Sequence, residues 1–437
     1  MTVAAVSIAP LDRAGTDDAV PGAAPPSFFG GRRAAFLLAS LFLVSAFAQI
    51  DRILPFILAE AIKAELLLSD THIGLITGIA FALCYALLSL PMARLCDQGS
   101  PRKVLLACTL TWSAMTALGG FATGFASLAV TRFGVALGEA GAVPSGHTLI
   151  ARKIRPGRRG FAIGIFSMGI PVGTMIGFGL GGAISDAFGW RTALFAAGGF
   201  GAAVGILAFV AAGPTPPLTR SSGTVSFRQS TRALLSVSAF RALLVAAICI
   251  GFAAAPFYAF AATFLIRTHA FSATEAGLIF GLLQGALGIA GTLLGGRAFD
   301  AAVQRNATSL LLVPAIAFCV AAITTVAALF VSIAWLSIVL LIPAMFTFAF
   351  TLPYAFGAAH LVAGVGREGV ASSLAMIGSG LVGPALGPLL VGLISDFVAD
   401  TGVSNSLGFG LLVVPLACLV TAATYLAAGR KIAARLS

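Results

Sequence analysis

The sequence predicts an all-α membrane protein of twelve transmembrane helices arranged as two pseudo-symmetric six-helix bundles, and three observations predict it. Hydrophobic residues make up 59% of the 437-residue chain and charged residues 9%, against roughly a quarter charged in soluble domains. Apolar runs recur at lengths of about 20 residues or more, enough at 1.5 Å per residue to cross a hydrocarbon core of about 30 Å. The chain also repeats itself. Ser69, Thr71, Gly74, Leu75, Ile76, Gly78, Arg94, Asp97 and Arg102 recur, 203 residues on, as Ser272, Thr274, Gly277, Leu278, Ile279, Gly281, Arg297, Asp300 and Arg305. Val172, Gly173, Gly177, Gly182, Ile184, Ser185 and Asp186 recur, 210 residues on, as Val382, Gly383, Gly387, Gly392, Ile394, Ser395 and Asp396. Tandem apolar halves of this length are the mark of a secondary transporter, with its substrate site between the repeats.

The apolar runs place spans at 34–58, 72–95, 104–122, 126–150, 161–183, 192–213, 242–266, 275–298, 309–331, 335–362, 370–394 and 406–429. Residues 1–33, rich in Ala, Pro and Gly, read as a disordered tail. They do not read as a signal peptide, because the first long apolar run continues to spanning length. Residues 214–241 carry Pro, Ser and Arg without an acidic residue and read as the linker between bundles 34–213 and 242–429; residues 430–437 read as a basic tail. With the N-terminus cytoplasmic, the tails and alternate loops on that side hold all but five of the 26 basic residues. Lys63, Arg191 and Arg267 lie opposite, and Arg52 and Arg132 fall inside spans. That asymmetry sets both termini in the cytoplasm, as expected of a bacterial inner-membrane protein. The net charge of +11 is then topological, and implies no nucleic-acid partner. Cys84, Cys108, Cys249, Cys319 and Cys418 sit in spans and Cys96 at a helix end, a pattern of neither disulfides nor a metal site. The sequence also suggests no cofactor.

Asp51, Arg52, Arg132 and Glu139 are the Asp, Glu, Lys or Arg residues placed well inside hydrocarbon. Each costs roughly 2.5–3.5 kcal/mol on insertion scales, so each should face a wet cavity or a partner. Arg132 and Glu139, seven residues apart, share one face of helix 4 about 10 Å apart along the axis. Counted from the span ends, Asp51 and Arg132 match in depth and can neutralise each other. Glu139 then has no partner at its own depth, which makes it the group to load and unload protons together with Asp51. Arg52, about 100° round helix 1 from Asp51, can engage Glu139 in one conformation and substrate in another. A static network that merely fixes helix packing is the competing reading.

Other residues carry weaker signals. His147 and His360 lie toward the cytoplasmic ends of helices 4 and 10, where a packed or snorkelling side chain is the more frequent reading and proton relay the rarer one. Gly177, Gly179 and Gly182 have the spacing of a dinucleotide fingerprint, but no strand precedes them. Gly173, Gly177 and Gly181 read instead as small residues for close helix contact. Pro171 with Gly173, and Gly383 with Pro384, mark places where helices 5 and 11 could bend or simply pack. The second half carries no Asp or Glu inside a span. It offers aromatics in helices 7 and 10, among which Tyr258 and Tyr354 stand out because a buried phenol seeks a partner.

The loop after helix 2 carries Ala93, Asp97, Arg102 and Lys103, and its repeat carries Gly296, Asp300 and Arg305. This doubled signature resembles that of the major facilitator superfamily, with Gln98 and Ser100 departing from the family pattern. The resemblance implies the major facilitator fold and a cytoplasmic gate built from Asp97, Arg102, Asp300 and Arg305; capping of helix ends is the plainer reading of the two aspartates. Asp51-Arg52, Arg132, Gly134, Gly138-Glu139-Ala140, Gly169, Pro171 and Gly173 resemble the spinster-like branch, sphingolipid and lysophospholipid transporters and their bacterial relatives. Ala48 stands where that branch often has asparagine. The branch links its matching helix 1 aspartate and helix 4 glutamate to proton coupling.

The expectation is a proton-coupled transporter, working by alternating access, of an amphiphilic small molecule or lipid. Arg52 and Arg132 would take an anionic head, and Tyr258 and Tyr354 with neighbouring aromatics an apolar body. Its partners would be substrate, protons and membrane lipid, and it would act as a monomer and not as an enzyme. Proton antiport with export is favoured. A facilitator, a proton symporter of an organic anion and a non-transporting membrane receptor stay open as alternatives.

Overall fold

The computed structural model describes residues 28–79, 82, 84, 85, 88, 91, 92, 95, 96, 99–155, 158–214, 227–304, 310–363 and 368–436. All its regular structure among these residues is helical. Nine described helices are long and apolar enough to cross a membrane unaided. Spans 2, 3 and 4 complete the twelve: Asp70–Thr77 with its continuation, Pro101–Gly119, and the pair Phe125–Glu139 and Ala142–Lys153. Span 4 is interrupted directly after Glu139, and Pro144, which has no N–H to offer the Ala140 carbonyl, lies just beyond. Span 10 breaks at Thr351, between Ala334–Phe350 and Leu352–Ala363, with Pro353 in the same relation to Ala349.

Three boundaries differ notably from those the sequence suggests. Span 1, Gly31–Ile57, does not stop near residue 58: Leu58 keeps a right-handed helical conformation and the chain runs on as Ala59–Leu66. The stretch 214–241 contains a helix, Phe227–Ser236, and span 7 already begins within it, as Ser238–His269. The final helix, Val413–Leu436, extends through the basic tail.

Within each half the same packing recurs at the repeat offset. Span 5, Arg159–Phe188, lies along span 1 with Gly173 against Ala46, Gly177 against Ile50 and Ile53, and Gly181 against Leu54 and Ile57. Span 11 lies along span 7 with Gly383 against the backbone of Gly251 and Phe252, and Gly387 against Pro256. Gly173 and Gly383 therefore serve close packing. Span 5 stays one helix through Pro171, whereas span 11 departs from α geometry in a π-helical turn, Gly378–Val382, immediately before Gly383 and Pro384. A Cβ at Gly173 or Gly383 would collide with neighbouring backbone, so only glycine permits the approach.

The halves meet through two antiparallel helix pairs, span 2 on span 11 and span 5 on span 8 (Ala273–Gln304). Again the repeated glycines make the contact. Gly74 faces Pro388 and Gly78 faces Ala385 and Pro384; in the other pair Gly277 faces Phe178 and Gly281 faces Met175. Gly182 sits on Ala273, and its repeat Gly392 on Asp70. These contacts gather at the end of the molecule that carries Lys63, Arg191 and Arg267. Toward the opposite, basic end a side chain at Gly164, Gly288 or Gly296 would meet nothing within 4 Å. The glycine contacts between the halves thus lie at one end among the described residues.

Because methyl groups at Gly74 and Gly277 would strike backbone of the opposite half only while this end is closed, Gly74→Ala/Gly277→Ala should shift the protein toward the state open there. Overpacking of this kind costs about 1–3 kcal/mol, so cysteines placed at the joined end should gain roughly fivefold or more in labelling rate, while those at the basic end become protected.

Candidate functional site

The four intramembrane charges lie together between spans 1 and 4, and Arg52 is on Glu139, the pairing the sequence offers for one conformation. Arg52 donates from Nε to Glu139 Oε2 at 2.5 Å, and its guanidinium lies 4.8 Å from the centre of the Tyr85 ring of span 2. Arg132 donates from Nη2 not to the Asp51 carboxylate but to the Asp51 backbone carbonyl, at 3.2 Å. The mismatch has a simple origin. Because the helix continues to Leu66, Arg52 lies fourteen residues from its end, as Glu139 lies fourteen from Phe125; both sit about 21 Å down. Ending span 1 at residue 58 hid that match in depth, so Arg52 was offered to Glu139 in one conformation only.

Exposure separates the members of the cluster. The Glu139 side chain is fully buried while that of Arg52 is 34% exposed, so the pair presents its cationic member to the open space. Asp51 and Arg132 are buried. Both Asp51 carboxylate oxygens, Arg132 Nε and Glu139 Oε1 make no hydrogen bond in this conformation. Ion pairs in low dielectric are expensive to break one member at a time, which suits a group of charges that exchange partners together.

At the joined end the repeated aspartates and threonines meet across the two halves. Asp186, near the end of span 5, accepts from the Thr274 backbone N–H and hydroxyl at 2.7 and 2.6 Å. Asp396, its repeat on span 11, accepts from the backbone N–H groups of Asp70 and Thr71 at 2.9 and 2.8 Å and from the Thr71 hydroxyl. Each aspartate thus caps the exposed amides at the start of a helix in the opposite half, where the helix dipole favours negative charge. Only the second cap is reinforced among the described residues. Arg267 of span 7 forks onto Asp70 at 2.7 and 2.8 Å and also bonds Glu60; Lys63 Nζ reaches Asp70 at 2.6 Å and Ser395 donates to it at 2.7 Å. Burial of Asp70 would raise its proton affinity, but the bonds and charge of Arg267, with Lys63 and Ser395, outweigh it and hold this carboxyl well below the usual carboxylate range. The remaining basic residue here, Arg191, pairs with Glu65.

Elsewhere the expected site residues are more scattered. Tyr354 is buried between the rings of Phe299 and Phe350, in a helix interface and not on a cavity wall. Tyr258 is half-buried against Phe257 and Phe348. Phe257, Phe260, Phe264 and Phe348 are buried, so most of the aromatic set is core of the second half. Arg102 bonds the Phe209 carbonyl at 2.8 Å and covers its ring, contacts within its own half, and Asp300 is exposed. Asp97 and Arg305 lie outside the described residues. His147 is exposed with its ring edge-on to Phe166. Sequence reasoning missed Tyr85 and the Asp70 network. The recurrence of Thr71, Asp186, Thr274 and Asp396 was the available signal for the latter.

Two six-helix halves, a buried charge cluster in one and a latch between them define a multi-pass membrane transporter rather than an enzyme. The comparisons with known proteins agree. Residues 37–388 match the family model of the Major Facilitator Superfamily, and the chain belongs to that superfamily. It is 31% identical over 393 residues, 88% of this chain and 89% of the relative, to an MFS-type efflux pump of Mycolicibacterium smegmatis. Its backbone is similar to that of a bacterial homologue of the human lysosomal transporter Spinster, in an inward-facing and unoccupied conformation (TM-score 0.80, 24% identity, 93% of this chain and 98% of that one). It is also similar to the nucleoside transporter NupG (TM-score 0.71, 11% identity, 91% of this chain and 99% of that one).

The latch sets a pH expectation. A carboxyl held below its ordinary value stabilises the paired state at every pH above that ordinary value, about 4, and the contribution fades only as pH falls further. Closure of the joined end should therefore not change between about pH 8 and pH 5. Arg267→Gln removes the main partner of Asp70 and should open this end at neutral pH and make the opening acid-sensitive below about pH 5. Solvent accessibility of an introduced cysteine, followed against pH, checks both statements.

Proposed function

We propose that this protein is a proton-coupled secondary transporter that exports an amphiphile with an anionic or zwitterionic head by alternating access. Residues 34–213 and 242–429 are the rocking bundles and 214–241 joins them. The basic end faces the cytoplasm, as the lysine and arginine asymmetry asks, so the conformation described here is open inward and latched outside. The observation that carries the reading is the Arg52–Glu139 pair, in which a fully buried carboxylate is the counter-ion of a partly exposed guanidinium. Protonating Glu139 releases Arg52 toward the cavity. With both acids ionised, Asp51, Arg52, Arg132 and Glu139 sum to zero; one proton leaves the cluster with a single net positive charge, attractive to an anion and repulsive to a cation in a low-dielectric site. Exchange of a proton for the anionic head is the cycle this favours. The efflux-pump relative supports export, and the spinster-like residues of spans 1, 4 and 5 support an amphiphilic substrate.

Glu139→Gln in proteoliposomes should abolish transport driven by a proton gradient while the protein still folds, inserts and exchanges substrate. Proton-driven rates equal to wild type would refute coupling through Glu139 and leave a facilitator. Competition between an anionic lysolipid and a lipophilic cation tests the head group. Tighter binding of the cation, lost in Glu139→Gln and kept in Arg132→Ala, would reverse the substrate's sign.

A further inference from the structure

We propose that Gln284 of span 8 is a specificity-determining residue: its carboxamide takes a hydroxyl on the substrate's head group while Arg52 takes the negative charge. This rests on, and deepens, the reading of the protein as a transporter of an anionic amphiphile. Gln284 is the one Asn or Gln in the interior of a second-half span, since Gln304 and Asn405 stand at helix ends. A carboxamide in an apolar span is costly unless it is bonded. Gln284 is half-buried, and its Oε1 is enclosed without a hydrogen bond in this conformation.

The contacts of span 8 fix where this side chain looks. Leu278, Leu282, Ile289 and Leu293 are exposed and share the outward side of the helix. At 100° per residue Gln284 lies about 150° round from their mean direction. One turn toward the latched end, Phe280 is buried against the rings of Phe178 and Phe257. Gly281 and Gly285, beside it, take Met175 of span 5. One turn the other way, on the same face as Gln284, a side chain at Gly288 would meet nothing within 4 Å. Gln284 thus stands where the packing of span 8 on the first half ends and open space begins.

The repeat register turns the same face toward the charge cluster. Gly288 is the position of Tyr85 carried forward by 203 residues, and the Tyr85 ring lies 4.8 Å from the Arg52 guanidinium. In the first half a phenol fills that position; in the second a glycine leaves room beside the amide. Depth agrees as well. Gln284 lies eleven residues into span 8 from Ala273, about 17 Å from the latched end, against about 21 Å for Arg52. The Arg52 side chain keeps 34% exposure while bonded to Glu139. A head group entering from the basic end therefore meets a guanidinium on the first half and a carboxamide on the second.

The chemistry of the pair defines the head group. A bare carboxylate or sulfonate offers acceptors alone, which suit Arg52 and leave Gln284 Oε1 unpaired. A hydroxyl both donates to that oxygen and accepts from the amide N–H. The terminal torsion of a glutamine is soft, so the carboxamide turns to the hydroxyl without moving span 8. An ammonium would also donate, but Arg52 repels it in low dielectric. The inferred substrate class is an anionic amphiphile with a hydroxyl close to its charge.

The test measures binding to purified protein in nanodiscs of 3-hydroxydecanoate and decanoate, and of the trimethylammonium cations with the same two chains. The quantity read is the affinity ratio of hydroxylated to plain probe in wild type, divided by that ratio in Gln284→Leu, so partition into lipid cancels. One neutral hydrogen bond sets the expected quotient for the acids at about five to ten. A quotient near one in both series overturns the proposal. If Gln284→Leu fails to insert, Gln284→Met is read in the same way. Gly288→Phe, which the open space admits, should weaken both acids about tenfold or more by filling that space; wild-type affinity in this variant overturns the placement of Gln284. Binding of the cations but not the acids would refute the anionic substrate. A hydroxyl preference among the cations that Gln284→Leu abolishes would still sustain the role of Gln284, so the two failures are distinguishable.

Discussion

A charged group in hydrocarbon must be paired or wetted, and the first half of this protein is organised by that constraint. Four ionisable residues share a space between spans 1 and 4, and their long side chains divide the available contacts unequally. Arg52 satisfies Glu139; Arg132 satisfies a carbonyl; the Asp51 carboxylate oxygens accept no hydrogen bond in this conformation. Such a cluster cannot change by one member alone without leaving a buried charge exposed to low dielectric. In the proposed cycle, proton uptake and rotation of Arg52 are tied together by this electrostatic constraint. The second half, with aromatic rings packed into its interior, supplies the rigid surface against which this happens.

The joint between halves follows a different logic, because it must hold and also release. Glycine against backbone gives close contact without interlocking side chains, and the two aspartate caps add direction. Their surroundings differ. The Asp186–Thr274 cap is exposed, whereas the Asp396 cap sits on a buried Asp70 bound by Arg267, Lys63 and Ser395. Surface polar contacts contribute little and buried charge-assisted ones more. The cap between spans 5 and 8 is thus the weaker of the two caps, and that between spans 2 and 11 the stronger.

Much of this was legible in the sequence. Rare ionisable residues in apolar runs announced the charge cluster by composition alone, and the repeat register announced the two halves. What the sequence withheld was depth and much of the pairing. It offers the Arg52–Glu139 contact but not the match in depth, because ending span 1 at residue 58 hides the helix Ala59–Leu66 that follows. Asp186 and Asp396 were visible as repeats, but nothing local says that an aspartate at the end of one helix serves the first amides of another, 88 or 325 residues away in the chain. Tyr354 was read as a candidate ligand contact because an isolated phenol stands out in a string of letters; in space it is enclosed by Phe299 and Phe350.

The doubled cap has a bearing on how such a molecule can change over generations. One aspartate–threonine pair, present in an ancestral half, becomes two seams once the gene is joined to its copy, so closure is secured twice from a single invention. Either seam can then drift while the other keeps the molecule working. Glu60, Lys63 and Arg267 gather at one cap, and the other has no such assembly among the described residues. Redundancy inherited from duplication is what leaves room for that asymmetry, and with it for a transporter whose two halves share a plan but divide the labour.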